Sequence, residues 1–366
     1  MAEKRLRLGL VGFGRAAQTL HLPALRYVHD WQVTAIADSD THRAQEAARR
    51  FGIARCYSDY RKLIEDADVE AIAVCVPPRL HAEVALAALE AGKHVFIEKP
   101  LAVSLEDCDR IARGAARSPG KAMVGLNLRW HPLVRRAREI LKSNTLGELA
   151  LVRTQFTTAN RSHPGTPAWA SRREHGGGVL FDLGVHHFDL WRHLTGTEVA
   201  EVFCTTQTGE GDDASAVVAG RMATGLCVCS VFSDCTRDAN ELELCGRKGT
   251  LRVSLYRFDG LELTDSTTPA DTLGARFRRV PATLKELPRA LAQAFRGGSF
   301  LAAYCEEWRH FARVIRVGAP VECTLEDGRR AVEVSLAALA SAAESRAVRI
   351  SDVAQIPPAA SLHSAS

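Results

Sequence analysis

Between Leu6 and Leu126 the sequence alternates short apolar runs with longer stretches of helical period. The runs are LRLGLV (6–11), QVTAIA (32–37), EAIAVCV (70–76), HVFI (94–97) and AMVGL (122–126); helical patterns lie near 15–28, 41–51, 80–91 and 104–117. Nearly continuous apolar strands have no polar face to turn to water. They must be covered on both sides, and helices between them do this by right-handed crossovers over a parallel sheet. Residues 1–126 are therefore expected to form a doubly wound α/β domain of the Rossmann type, which binds dinucleotides at the carboxyl ends of its strands.

After residue 126 the rhythm changes. Helical patterns near 130–142 and 177–195 precede alternating strands at 201–208, 214–222, 226–232 and 241–246. Consecutive strands with short connections predict a large, mostly antiparallel open sheet, so 127–366 is read as an α+β domain for substrate binding and oligomerisation. Such a sheet has one face on helices and one face left for a partner. Residues 267–299, rich in Pro, Gly and Arg, read as a lid or excursion, followed by helices at 300–316 and 326–344. Two domains of ordinary size account for 366 residues.

Composition removes several classes of function. With 47 Lys and Arg against 43 Asp and Glu spread along the chain, nucleic acid is not the expected partner. The apolar run after the basic start is too short for a leader or a membrane span, so no membrane association is expected. The ten cysteines sit mostly in apolar stretches, which reads as reduced core thiols in a cytoplasmic protein.

The first chemical motif follows the first strand: Gly12-Phe13-Gly14-Arg15-Ala16-Ala17. Gly12 permits the tight turn, Gly14 lets a pyrophosphate approach the backbone, and Ala17 lets the helix pack close to the strand. The helix N-terminus then favours phosphate. Asp38 ends the second strand, placed to bond an adenosine ribose hydroxyl and to repel a 2′-phosphate, so NAD is favoured over NADP. Ser39, Arg15 and Arg43 offer phosphate contacts nearby. The cofactor-binding set is read as Gly12, Phe13, Gly14, Arg15, Ala16, Asp38, Ser39, Pro77, His81, Glu98 and Lys99. Its last members belong to HVFIEKPLA (94–102), a central strand ending on Glu98 and Lys99, where the nicotinamide end of a cofactor lies in such sheets.

The chain resembles the Gfo/Idh/MocA oxidoreductases, a family that includes glucose-fructose oxidoreductase and inositol dehydrogenases. The resemblance rests on GLVGFGRAAQTLHLPAL, VCVPPRLHAEVALAALEAGKHVFIEKPLA and GGGVLFDLGVHHFDLWRHLTG, with TLEDGRRAVEVSLAALASAAESRAVRI near the C-terminus. It implies that Lys99 of Glu-Lys-Pro sits beside the nicotinamide and the reacting carbon, and that Asp182 and His186 of Asp-Leu-Gly-Val-His complete the site from the second domain. It also implies a homodimer or homotetramer assembled through the exposed face of the second sheet. One departure is Val76-Pro77-Pro78, where many relatives have Thr-Pro-Asn.

The chemistry suits these residue types. Oxidising a secondary alcohol needs a base for the hydroxyl proton, a role that fits His186. Asp182, four residues earlier, can orient the imidazole or hold a second hydroxyl. The Lys99 ammonium can hold the substrate oxygen. A competing reading of the same helix makes Asp182, His186, Asp189 and His193 a metal-binding stripe; no metal is the expectation. Substrate contacts are sought at Asn127, Arg129, Trp169 and Arg173, each with a packing alternative.

The expected function is an NAD(P)-dependent oxidoreductase moving hydride between a nicotinamide cofactor and a secondary alcohol or ketone of a sugar, inositol or related polyhydroxylated compound. Two alternatives remain at this stage. One is a redox-neutral enzyme with tightly held NAD, acting as an epimerase, a glycoside-cleaving or a transhydrogenating enzyme. The other is a non-catalytic cofactor sensor.

Overall fold

The computed structural model describes residues 4–159, 166–209, 211–257, 259–266, 288 and 298–355. The excursion expected at 267–299 lies outside the described residues except at Pro288, Gly298 and Ser299. Two compact units emerge. The first comprises 1–127, 174–176 and 304–332, and the second 128–173, 177–303 and 333–366.

In the first unit, β1 (Leu6–Val11), β2 (Trp31–Ala37), β3 (Arg55–Tyr57), β4 (Ala71–Val74), β5 (His94–Glu98) and β6 (Ala122–Gly125) form one sheet in the order β3-β2-β1-β4-β5-β6. Every neighbouring pair is parallel. This is the doubly wound order, with its reversal between β1 and β4. Helices α1 (Leu22–Leu25), α2 (Thr41–Phe51), α3 (Tyr60–Ile64), α4 (His81–Glu90) and α5 (Leu105–Arg117) supply the crossovers. Their starts are encoded locally: Asp40 caps α2, Asp59 caps α3 and Ser104 caps α5, each by accepting a backbone N–H. Sequence reading missed β3 and α3. Three and five residues long, they carry too little periodicity to be seen.

Residues 304–332 add an aromatic layer to the first unit. Trp308 stacks on Phe96 of β5 at 4.5 Å, Trp31 meets Trp308 edge-on at 5.3 Å, and the Trp31 indole N–H bonds the Trp308 carbonyl at 2.9 Å. Each such ring pair adds about 0.5–1.5 kcal/mol beyond area burial. Together they explain why this late segment belongs to the same core as the first strands.

The second unit is an eight-stranded sheet in the order β13-β12-β11-β7-β10-β9-β8-β14. Its members are β7 (Leu149–Thr157), β8 (Val199–Gln207), β9 (Ser215–Met222), β10 (Cys227–Ser233), β11 (Ala239–Gly246), β12 (Gly249–Ser254), β13 (Leu261–Asp265) and β14 (Val348–Arg349). All pairings are antiparallel except β7 with β10. The mostly antiparallel α+β expectation holds, and the structure adds β7, β12, β13 and β14 to the strands read from sequence. The remaining helices are α6 (Pro132–Lys142), α7 (Val185–Thr195), α8 (Gly298–Val317) and α9 (Leu325–Glu344). Among the described residues no helix is long and apolar enough to cross a membrane.

Helix α7 is buried along most of its length against the inner face of this sheet. Phe188 meets Phe232 of β10, and His187 stacks on Phe156 of β7 at 5.4 Å. His187 is fully buried: its Nε2–H donates to Asn240 Oδ1 at 3.1 Å, so its Nδ1 accepts from the Thr154 hydroxyl at 2.7 Å. Burial pushes His187 down to about 4, and does the same to His131. The unfolded chain therefore takes up protons near the ordinary histidine value that the folded chain refuses. Stability is full above about pH 6.5 and declines as pH falls toward about pH 4, each histidine costing about 2 kcal/mol between about pH 7 and pH 5. Urea denaturation across this range should show that decline, and His187→Gln should remove the His187 share of it, leaving that of His131.

Candidate active site

The candidate residues fall into two sets, one in each unit. In the first unit they gather where the parallel strands end. At the end of β1 the chain turns at Gly12 with φ +88, and a Cβ there would lie 2.6 Å from the carbonyl of Cys75. Any side chain would break the close approach of two strand ends. Around Gly14, by contrast, a Cβ would meet nothing within 4 Å. The turn thus presents bare backbone to open space, as a pyrophosphate requires. Arg15 is exposed and Ala16 half-buried, and the helix continues through a π-wound segment, Ala17–His21.

Asp38 sits at the end of β2, almost fully buried, and all four of its lone-pair directions are in use. Oδ2 accepts the Phe13 N–H at 2.7 Å and Arg43 Nε at 3.2 Å; Oδ1 accepts the Asp40 N–H at 2.9 Å and Arg43 Nη2 at 2.7 Å. Asp38 thereby fixes the glycine turn. Ser39 is exposed. Pro77, half-buried, follows β4 and its carbonyl accepts the Leu80 N–H.

At the end of β5, Glu98 is 7 % exposed. Its Oε2 accepts the backbone N–H of Lys99 at 2.9 Å, and its Oε1 lies 2.7 Å from His21 Nε2. The Trp308 indole N–H donates to His21 Nδ1 at 3.2 Å. An indole only donates, so Nδ1 carries no proton and Nε2–H is the donor to Glu98. Burial works to raise Glu98, but the His21 bond, the nearby charges and the Lys99 N–H hold it below the ordinary glutamate range. The Lys99–Pro100 peptide is cis. His81, 1 % exposed, reaches the Pro100 carbonyl through Nδ1 at 2.8 Å and the Val76 carbonyl through Nε2 at 3.0 Å. Burial lowers its proton affinity against the pull of those carbonyls. Lys99 is half-buried, with both chain neighbours tied down. Asn127, the remaining candidate of this unit, is 4 % exposed.

In the second unit, Asp182 lies half-buried in a π-wound segment, Leu180–Gly184, that runs directly into α7. π-Segments often mark functional positions in helices. His186 is 7 % exposed, 6.0 Å from the ring of Phe156. The glycines ahead of this helix answer to close contacts: at Gly178, φ is +80 and a Cβ would stand 2.3 Å from Asp213 Oδ1. Asp213 organises the loop. Its Oδ1 accepts Arg173 Nε at 2.8 Å and its Oδ2 the Leu180 N–H at 2.9 Å. Burial raises Asp213 in spite of Arg173.

Of the residues sought as substrate contacts, Arg173 is held by Asp213 and, through its backbone N–H, by Asp212. Arg129 forms a two-pronged pair with Asp189, Nε to Oδ2 at 2.7 Å and Nη2 to Oδ1 at 2.5 Å, with both side chains buried. Each guanidinium therefore has a structural partner. Trp169 lies half-buried in a short 3-10 turn, Ala168–Ser171. Asp189, a member of the stripe weighed as a metal site, is engaged by Arg129. Among the described residues no group of three or more His, Cys, Asp or Glu is placed to hold a metal. Sequence reasoning missed His21, Trp308, Asp213 and Asp189 as partners, because each pairs with a residue far along the chain.

Comparison with known proteins now adds to this geometry. The description "Oxidoreductase family, NAD-binding Rossmann fold" matches residues 6–126, and "GFO/IDH/MocA C-terminal domain" matches 134–252. The chain belongs to the GFO/IDH/MocA oxidoreductase family. It is 29 % identical over 359 residues to a myo-inositol 2-dehydrogenase of Thermotoga maritima, covering 95 % of this chain and 99 % of that one. It is 29 % identical over 313 residues to a levoglucosan dehydrogenase of Pseudarthrobacter phenanthrenivorans, covering 75 % and 80 %. The crystal structure of a levoglucosan dehydrogenase in complex with NADH superposes with a TM-score of 0.81 at 25 % identity, covering 95 % and 99 %. As a member of this family the chain is an NAD-binding dehydrogenase that acts on CH–OH groups.

The two glycines separate fold from cofactor. Gly12→Ala should lower the melting temperature, because strand ends must move apart. Gly14→Ala should leave melting unchanged yet weaken NADH binding about tenfold or more by placing a methyl where phosphate approaches. Thermal melts beside a fluorescence titration with NADH check both.

Proposed function

We propose that this dehydrogenase oxidises a ring secondary alcohol of an inositol, sugar or related polyhydroxylated compound, with NAD preferred to NADP. The observation that carries the reading is the presentation of Lys99 at the carboxyl end of β5, on a carboxylate locked by His21, in the same unit as the glycine turn. Relatives named for inositol and levoglucosan oxidation support the substrate class.

Bound nicotinamide supplies the acceptor for the hydride that leaves the carbinol carbon. The chain's residues handle the rest. Lys99 holds the alcohol oxygen and favours its developing negative charge. His186 takes the hydroxyl proton, so each turnover gives one ketone, one reduced nicotinamide and one proton. Asp182 orients the imidazole or holds a second hydroxyl. Residues 1–126 serve the cofactor and 127–366 the substrate and assembly, with Asn127 and Trp169 as polyol contacts and Arg129 and Arg173 supporting them through their aspartates.

The preference for NAD rests on Asp38, whose charge opposes a 2′-phosphate. Arg43 tempers it: the guanidinium already neutralises that carboxylate, and its side chain is 43 % exposed. Discrimination should therefore be modest rather than absolute. The ten free thiols fit a reducing compartment, the cytoplasm.

The direct test is absorbance of reduced nicotinamide while the protein meets NAD or NADP with inositols, sugars and sugar acids; silence across the panel would sink the reading. Lys99→Ala and His186→Ala should each cut turnover about 100-fold or more while NADH affinity stays near wild type. Matching losses of NADH binding would remove these residues from the chemistry.

A homo-oligomer through the outer sheet face belongs to the same proposal. Phe203, Val217 and Val231 stand there 43–48 % exposed. Beside them runs a ladder of mixed sign, with Glu243 between Arg153 and Arg252. A surface with both apolar and paired-charge character complements itself across a two-fold axis. Light scattering should report a dimer or tetramer, and Val217→Lys should shift it toward monomer.

A further inference from the structure

The first unit contains a buried polar chain beneath Lys99. It starts at Trp308 Nε1, passes through His21 to Glu98, and ends on the backbone N–H of Lys99. His21 is 0 % exposed and packed edge-on by Phe96, Tyr304 and Trp308. Its ring cannot turn, and with Trp308 donating to Nδ1 its tautomer cannot change without breaking a bond. Each donor has one acceptor, so the orientation of the Glu98 carboxylate, and with it the peptide that carries Lys99, is determined from behind.

The same unit holds a second buried carboxyl. Glu307, the residue before Trp308, is 0 % exposed, and neither of its oxygens has a hydrogen-bond partner among the described residues. Burial, followed by the charge of Glu98, raises it well above the ordinary glutamate range. The other titratable groups that feel Glu98 are His21 from the π-wound segment, Lys99 beside it, Cys75 after β4 and His81 from α4.

We propose that His21 is a positioning residue of the dehydrogenase reaction: it acts through Glu98 to hold Lys99 in its reactive place. This rests on the reading that Lys99 handles the substrate oxygen. Misplacing a reacting group by about 1 Å can cost about 100-fold in rate. The chain is the means by which the fold prevents this.

Three variants of the full chain test this by kcat, KM and NADH affinity. His21→Leu should lower kcat by about 10- to 100-fold with NADH affinity near wild type. His21→Gln, which keeps an N–H for Glu98, should recover most of the loss. Trp308→Phe removes the indole N–H from the chain, together with part of the ring that stacks on Phe96, and should lower kcat severalfold, a second readout beside His21→Leu. Wild-type kcat in both His21→Leu and Trp308→Phe would overturn the proposal. Lys99→Ala measured alongside separates the two failures. An inactive Lys99→Ala with unaffected His21 and Trp308 variants rejects the positioning role alone, whereas an active Lys99→Ala rejects the reading beneath it as well.

Discussion

A parallel sheet covered on both faces leaves its backbone and side chains open to chemistry only at the ends of its strands. That constraint organises the first unit of this protein. The glycine turn ends β1, Asp38 ends β2, Cys75-Val76-Pro77 follow β4, and Glu98-Lys99 close β5. Because the strands are parallel, all four ends lie on one edge, and the reversal of strand order between β1 and β4 opens a crevice there. Residues far apart in the chain become neighbours without any local signal saying so: His21 to Glu98 spans 77 residues and Phe13 to Asp38 spans 25.

The second unit meets a different constraint. Its sheet needs a helix on one face, and α7 supplies one that is buried almost all round, so polar residues on it must find partners inside. His187 finds Thr154 and Asn240, and Asp189 finds Arg129. Removing one partner of such a buried pair commonly costs about 3–5 kcal/mol, because the other charge stays behind. His186, one residue before His187 on this fixed helix, inherits a defined direction from that packing. Rigid support of this kind is what the role proposed for His186 requires.

Much of this was legible in the sequence. The apolar runs and their spacing predicted the parallel sheet, because a strand buried on both faces cannot alternate. Helix α2 was read at 41–51 and found at Thr41–Phe51, where an aspartate cap and a C-terminal glycine mark both ends. Strand β7 was missed although it lies in the middle of its sheet. Its outward positions carry Arg153 and Gln155, its inward ones Thr154 beside Val152, so its pattern resembles a loop more than a core strand. Among the candidate residues, those in contiguous motifs were visible. Their partners were not: Trp308 reads as part of an amphipathic helix, and nothing within a dozen residues of it mentions Glu98.

The contrast between Glu98 and Glu307 shows how burial treats two identical side chains differently according to their partners. Glu98 has His21 and the Lys99 N–H to receive its charge; the Glu307 oxygens have no hydrogen-bond partner among the described residues. A lowered carboxyl pKa means that the folded chain releases a proton which the unfolded chain still holds at low pH, so Glu98 contributes stability above the ordinary glutamate range and loses it as pH falls. A raised one means the reverse. The folded chain keeps the Glu307 proton that the unfolded chain gives up, so Glu307 costs stability progressively as pH rises from the ordinary glutamate range toward its own folded value. An apolar residue in its place would carry no such cost. The acid therefore does nothing for the fold at neutral pH that a hydrocarbon could not do better, whereas the charge of Glu98 is matched by the donors that fix it.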